Sequence, residues 1–309
     1  ESLRPIAYTN DAFREKLSDK SCIQLDYRMA MIFVGYHDPR QLSTINRFLT
    51  SLKDRFQESF LYGTYGLITM DTSEKVWYMP EDGKTTIEGW TNTEYIAEQF
   101  YQEHSDQYDF LTIVKNFNTK EAGDSHVVVS NQKSGTGQSA YNVNRYGKTQ
   151  RLKGINIIDL PKGVADETTM RETLNLMLHE TSHNWCCYFD EDFVGEGNEH
   201  LAISKTGHFY PGLHHPYIGG GPLKSNHWYP VGDGWYEVAS SQETLLKRLH
   251  PFSLYLMGVM PDGAFSMSFP VFSVGKDLNS IEKQGQYYDQ YSVNDLIDLQ
   301  GEWSCESSA

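Results

Sequence analysis

The sequence is poor in cysteine, in positive charge and in long apolar runs. Its four cysteines (Cys22, Cys186, Cys187 and Cys305) are too sparse in 309 residues for a fold held by disulfides. A Cys22–Cys305 bridge would tie the two chain ends together in an oxidising compartment. Cys186 and Cys187, neighbours on an expected helix, point roughly 100° apart and pair poorly with each other. Lysine and arginine number 26 against 41 acidic residues, a net charge of −15. With no basic block anywhere, neither nucleic acid nor an anionic membrane is an expected partner. No stretch reaches the roughly 18 apolar residues of a membrane helix, so no membrane span is expected. There is no N-x-S/T sequon. The acidic balance is first a matter of solubility. Together with the lack of any cytosolic signature, it makes a secreted or cell-surface protein the expectation. Nothing in the sequence bears on oligomeric state.

Aromatic residues are plentiful at 13%, which argues against disorder. The length suits two lobes around a shared cleft, with residues 1–188 as the first lobe and 189–309 as the second. MAMIFVGY (29–36), DFLTIV (109–114), HVVVS (126–130) and INIIDL (155–160) read as strands. YGLITM (65–70) and KVWYM (75–79) read as a strand pair across the turn at 71–74. Residues 41–58 carry Leu42, Ile45, Leu49, Leu52 and Phe56 at helical spacing, and 93–102 suits a second helix. Lys133–Gly147 is a Gly/Ser/Asn-rich loop. Thr169 and Glu172 form a capping box that opens a helix over 169–188. Residues 190–235 show little periodicity; apolar signals return at FSLYLMGV (252–259), whose LYLMGV can be an ordinary core strand, and at FPVFSV (269–274), and 293–299 reads as a last helix. The expected fold class is α+β.

The 169–188 helix carries His179, Glu180 and His183, an H-E-x-x-H pattern. Positions i and i+4 lie about 40° apart on a helix, so both imidazoles can reach one ion. Glu180 projects into the same cleft without crowding it and can take a proton from a bound water. Zinc suits this set, because it accepts nitrogen ligands, prefers four-coordination and lowers the pKa of water toward ~7. The bland alternative is an exposed histidine pair with an incidental glutamate.

A catalytic zinc takes a third protein ligand and keeps one position open. Cys186 lies near the same helix face but one turn too far along, and reads better as a small buried residue. Glu196, Glu199, His200, His208, His214 and His215 all follow in the Gly-rich segment. Asp190 and Asp192 suggest a solvated turn, with a calcium site as the minor alternative.

Three segments carry a family resemblance. His179–Trp185 reads H-E-x-x-H-x-W. His227-Trp228 is a later His-Trp pair. Pro251–Gly258 reads P-F-S-L-Y-L-M-G. Together they resemble a prokaryotic group of zincin metallopeptidases of the metzincin-like sort, whose pattern joins H-E-x-x-H-x-W to a His-Trp pair and an F-S-P-x-x-L-Y-L-M-G segment. YSVNDLIDLQG (291–301) is similar to that group's terminal helix. The resemblance spans roughly 165–301. It implies a zincin-like fold: a mixed twisted sheet with helices in an upper lobe, an active-site helix, and a more irregular lower lobe. It implies His227 as third ligand and Met257 as the methionine of a turn beneath the metal. Tyr255, two residues earlier, is a candidate for stabilising an oxyanion, against the plainer reading of a packed core tyrosine. The pattern departs from the group in two places: Pro251 precedes Phe252-Ser253, and a long gap of 44 residues separates His183 from His227. Phe189 also stands where compact metzincins carry a third histidine.

The expected function is therefore zinc-dependent hydrolysis of peptide bonds in a protein or peptide substrate, with Glu180 as general base. The alternatives are a hydrolase of non-peptide amides, or a metal-stabilised binding or surface protein without turnover.

Overall fold

Met29, Met31 and Phe33 alternate with Ala30, Ile32 and Val34, and all six are buried. A strand buried on both faces needs cover on both sides. This strand is β1 (Asp26–Gly35), and the computed structural model supplies both covers. The structure describes residues 23–36, 39–121, 123–134, 141–143, 145–147, 149–161 and 166–185. Beyond these it describes 208–211, 217–218, 228–233, 235–238, 248–249, 251–259, 268–274, 284–292, 294, 297–298 and 304–305.

On one side β1 pairs in parallel with β4 (Phe110–Lys115), which pairs in parallel with β6 (Gly154–Asp159). β5 (Ser125–Val128) closes that side antiparallel to β6. On the other side β1 carries two short parallel partners in succession. β2 (Thr69–Asp71) lies along residues 26–28 and β3 (Trp77–Pro80) along 32–35. β2 and β3 therefore do not pair with each other, contrary to the hairpin expected for 65–79. Both sit end to end on a single edge, and each is too short to show which neighbour it seeks.

The apolar stripe of α1 (Pro39–Gly63) holds Phe48, Leu49, Leu52, Phe56 and Phe60, all buried with Met29, Met31 and Phe33 on one face of the sheet. α2 (Thr93–Glu103) covers the opposite face through Ile96, Ala97 and Phe100, which pack with Ala30, Ile32 and Val34. α3 (Glu167–Ser182) joins α1 on the first face through Met170, Leu174, Met177 and Leu178.

The cap of α3 is not the expected Thr169/Glu172 box. Asp166 is the N-cap, and its carboxylate accepts from the Thr169 N–H at 2.8 Å. An aspartate at that position wins because it already satisfies the orphan N–H groups of the first turn. Glu167 then receives both terminal nitrogens of Arg55 on α1, at 2.8 and 2.6 Å, and the Arg171 guanidinium at 3.0 Å. The Arg55 bonds, then those from Arg171, hold its carboxyl down to about 2.

The C-terminal half forms an antiparallel sheet in the order β7 (His208–Pro211), β10 (Ser268–Val274), β11 (Gln284–Ser292), β9 (Trp235–Val238), β8 (Trp228–Gly232). The segment 190–235, expected to be irregular, thus contains strands. HFYP and WYPVG owe their β character to aromatic residues and are too short to show a period. The molecule is mixed α+β with a mixed sheet, as the sequence implied. Asn294, Ile297 and Asp298 are helical, in line with the expected last helix. No helix among the described residues is long and apolar enough to cross a membrane. Cys22, Cys186 and Cys187 lie outside the described residues.

The alternative reading of LYLMGV as an ordinary core strand does not hold: the segment is helical, as α4 (Pro251–Met257). A short, wholly apolar run does not reveal its period; its ending does. Gly258 has φ +79°, its N–H bonds Tyr255 O at 2.8 Å, and the Val259 N–H bonds Leu254 O at 2.9 Å. This is a Schellman stop, and Leu254 and Val259 pack in the core that also holds Leu174 and Leu178. Gly258→Ala should destabilise the protein by about 1–2 kcal/mol, the left-handed penalty for a residue with Cβ, and Gly258→Asn by less. Urea unfolding curves decide this; an alanine variant as stable as the parent contradicts the assigned stop.

Candidate metal centre

The last turn of α3 carries the motif. His179, Glu180 and His183 are 4%, 4% and 7% exposed. Their ligand atoms all lie within 4.8 Å of one another. The two imidazole Nε2 atoms stand 2.9 Å apart, with ring centroids 4.5 Å apart and planes perpendicular. The histidine pair is thus buried rather than exposed, and its nitrogens converge on one point. Two imidazoles and a carboxylate in a low-dielectric pocket are a donor set suited to a divalent cation. Among the described residues this is the one group of three or more metal-competent side chains set so close together.

The helix ends at Ser182, short of the expected 188, but the backbone keeps turning. The His183 N–H reaches His179 O and Glu180 O, Asn184 N–H reaches Thr181 O, and Trp185 N–H reaches Ser182 O at 3.0 Å. These shorter bonds tighten the last turn and carry His183 with it. Trp185 then plugs into the sheet, edge-on to Tyr27 at 5.4 Å and tilted against Phe110 at 5.5 Å.

Beneath the turn, the face of the sheet is polar along one row. Thr112, Asn156 and His126 are register partners on β4, β6 and β5. Asn156 Nδ2 donates to Thr181 Oγ1 on the helix at 2.8 Å and to Thr112 Oγ1 at 3.2 Å. Asn156 Oδ1 faces His126 Nδ1 at 2.6 Å. Thr181 Oγ1 donates onward to Met177 O at 2.7 Å, and Ser182 Oγ to His179 O at 2.7 Å. Burial, above all, pushes His126 down to about 3, and proximity to His183 adds to the effect. Sequence reasoning passed over Asn156, Thr112 and His126. Each is a polar residue inside an otherwise apolar strand run, and that was the available signal.

Of the other candidates, Tyr255 and Met257 lie on α4, buried in the same core as Leu178 and Trp185. His208 opens β7, where only its backbone is described. His227, the expected third ligand, lies outside the described residues. So do Cys186, Asp190, Asp192, Glu196, Glu199, His200, His214 and His215.

The depressed His126 makes stability pH-dependent with a definite sign. Unfolded, the ring takes up a proton near its ordinary 6.5; folded, it resists to about 3. The unfolded chain therefore binds more protons between these values, and acidification favours it. Stability should fall as pH drops from 6.5 toward 3, and less steeply in His126→Gln. Equal slopes for the two chains in denaturant titrations across that range would remove the buried neutral imidazole.

No family model matches the chain, and no curated protein matches it. Among solved structures, the chain is similar to one titled "Structure of a chaperone-substrate complex", at 14% identity and a TM-score of 0.29. That likeness covers 52% of this chain and 23% of the other, and at such a score it carries no argument about fold or function.

Proposed function

We propose that the protein is a zinc-dependent peptidase of the zincin type, with His179 and His183 as metal ligands and Glu180 as general base. The observation that carries the reading is the buried convergence of these three side chains at the end of one helix. The two imidazoles would hold the ion, with His227 the proposed third ligand. Bound zinc supplies Lewis acidity and makes water acidic enough to react near neutral pH. Glu180 follows His179 directly and faces the same point. It would accept the proton of the attacking water and return it to the departing amine, so that proton balance is kept within one carboxyl group. Burial shields that carboxyl from bulk water, which strengthens its interactions with developing charge.

A second observation supports a peptide substrate. β5 is the outermost described strand of its sheet, and α3 packs against it. An extended chain adds to a strand edge by backbone hydrogen bonds alone, which would bring a peptide alongside the cluster. A protein exported to a place where it meets such substrates fits the same reading.

The decisive experiment pairs two variants. Glu180→Gln should retain one zinc per chain and lose about 10²–10⁴-fold in hydrolysis of a denatured protein mixture. His183→Ala should lose the zinc itself, read by metal analysis after gel filtration. Full hydrolysis by a zinc-loaded Glu180→Gln protein would refute the role given to Glu180. Undiminished zinc in His183→Ala would refute the ligand assignment.

A further inference from the structure

His126 is half-buried, with its Nε2 sealed from solvent, and the proposed reaction does not use it. It sits on β5, and its ring lies close over Gly154 of β6. A Cβ at Gly154 would come within 2.4 Å of His126 Cε1 and 2.5 Å of Nε2, and within 3.1 Å of Asn184 Oδ1. Glycine is therefore what lets the imidazole and the Asn184 amide meet at that point. Both His126 Nε2 and Asn184 Oδ1 are sealed from solvent and have no hydrogen-bond partner as placed. Two such atoms side by side are costly.

The rest of the network decides how they are satisfied. Thr181 Oγ1 gives its proton to Met177 O, so toward Asn156 it is an acceptor. The Asn156 Nδ2 group must then be the end that faces Thr181, leaving Oδ1 toward His126. An amide oxygen accepts only, so His126 Nδ1 carries the ring proton. Burial holds the ring neutral, so Nε2 is a bare lone pair. A carbonyl oxygen cannot face it, whereas an amide nitrogen can. Rotating the Asn184 amide by half a turn puts Nδ2–H on Nε2, and amide orientation is the kind of assignment that hydrogen-bond networks settle.

We infer that His126 is a positioning residue: as the Nδ1–H tautomer it grips Thr181 through Asn156 and accepts directly from Asn184, clamping the turn that presents His183. Thr181 and Asn184 flank His183 on either side. The ring acts through the turn it holds. The consequence for metal binding rests on the reading of His179 and His183 as ligands. The tautomer and the Asn184 contact do not.

The test separates the two. In the metal-free full-length protein at neutral pH, long-range ¹H–¹⁵N spectra should show His126, identified by its loss in His126→Gln, protonated on Nδ1 and unprotonated on Nε2. An Nε2–H tautomer or an imidazolium at that pH overturns the clamp. In zinc competition against a chelator, His126→Leu and Asn156→Leu should bind about 10–100-fold more weakly, the usual loss on removing an outer partner of a ligand. His126→Gln, whose amide can both donate to Asn156 and accept from Asn184, should recover most of that affinity. The cobalt-substituted leucine variants should show a shifted visible spectrum. Parental zinc affinity in both leucine variants overturns the inference even if the tautomer is as stated. Should the leucine variants fail to fold, the spectrum of the unaltered protein still decides. Should the unaltered protein take up no zinc, the metal-centre reading falls, and the tautomer result alone judges the clamp.

Discussion

The placement of the cluster depends on one constraint: a polar turn set into an apolar core must find a partner for every polar atom it buries. The end of α3 presents His179, Glu180, Thr181, Ser182, His183 and Asn184 in succession, all buried. The sheet beneath it is otherwise lined by Met29, Met31, Phe33, Phe110 and Val114 on that face. The row Thr112–Asn156–His126 offers the turn hydrogen bonds. Its three members stand on three strands yet meet because the strands are in register. A one-residue slip of β6 would send Asn156 to the opposite face and leave Thr181 over hydrocarbon. Sheet register and helix position are thus a single choice, and the three side chains of the motif converge only once that choice is made.

This explains which parts were legible in the sequence. The long runs declared themselves: 29–36 as a buried strand, 41–58 as an amphipathic helix, 155–160 as a strand, and the H-E-x-x-H on a capped helix. Each rests on a local period or a local spacing. What could not be read depends on partners far along the chain. β2 and β3 look like a hairpin from their own residues, and only the length of β1 shows that both fit on one edge. LYLMG has no polar residue to report its phase, and Gly258 marks its end only once the backbone angle is known. Thr112, Asn156 and His126 are ordinary polar residues until the register lines them up beneath Thr181.

Two anchors of different chemistry hold the same turn. Asn156 holds Thr181 by a hydrogen bond, and Trp185 holds the chain three residues on from Ser182 by filling space between Tyr27 and Phe110. The hydrogen bond is directional and specifies the rotation of the helix about its axis. The indole is bulky and specifies its depth. Under the proposed metal reading the ligand atoms would have to be held to within about half an ångström, which needs both, because packing alone leaves rotation free and a single hydrogen bond leaves depth free. α4 adds Leu254, Leu256 and Met257 to the same core as Leu178.

The burial that costs the cluster its solvation is also what the proposed reaction would draw on. Partial burial pushes the His126 ring toward its neutral form. A charged ring there would repel any cation approaching His183, so neutrality at His126 and a cation at the histidine pair are compatible where two charges would not be. The same exclusion of water magnifies the field of the Glu180 carboxylate at short range. Moving the turn toward solvent would relax the demand for partners but would also weaken that field. The polar row lets the turn stay deep: it supplies the hydrogen bonds that solvent otherwise would, without the dielectric that solvent brings.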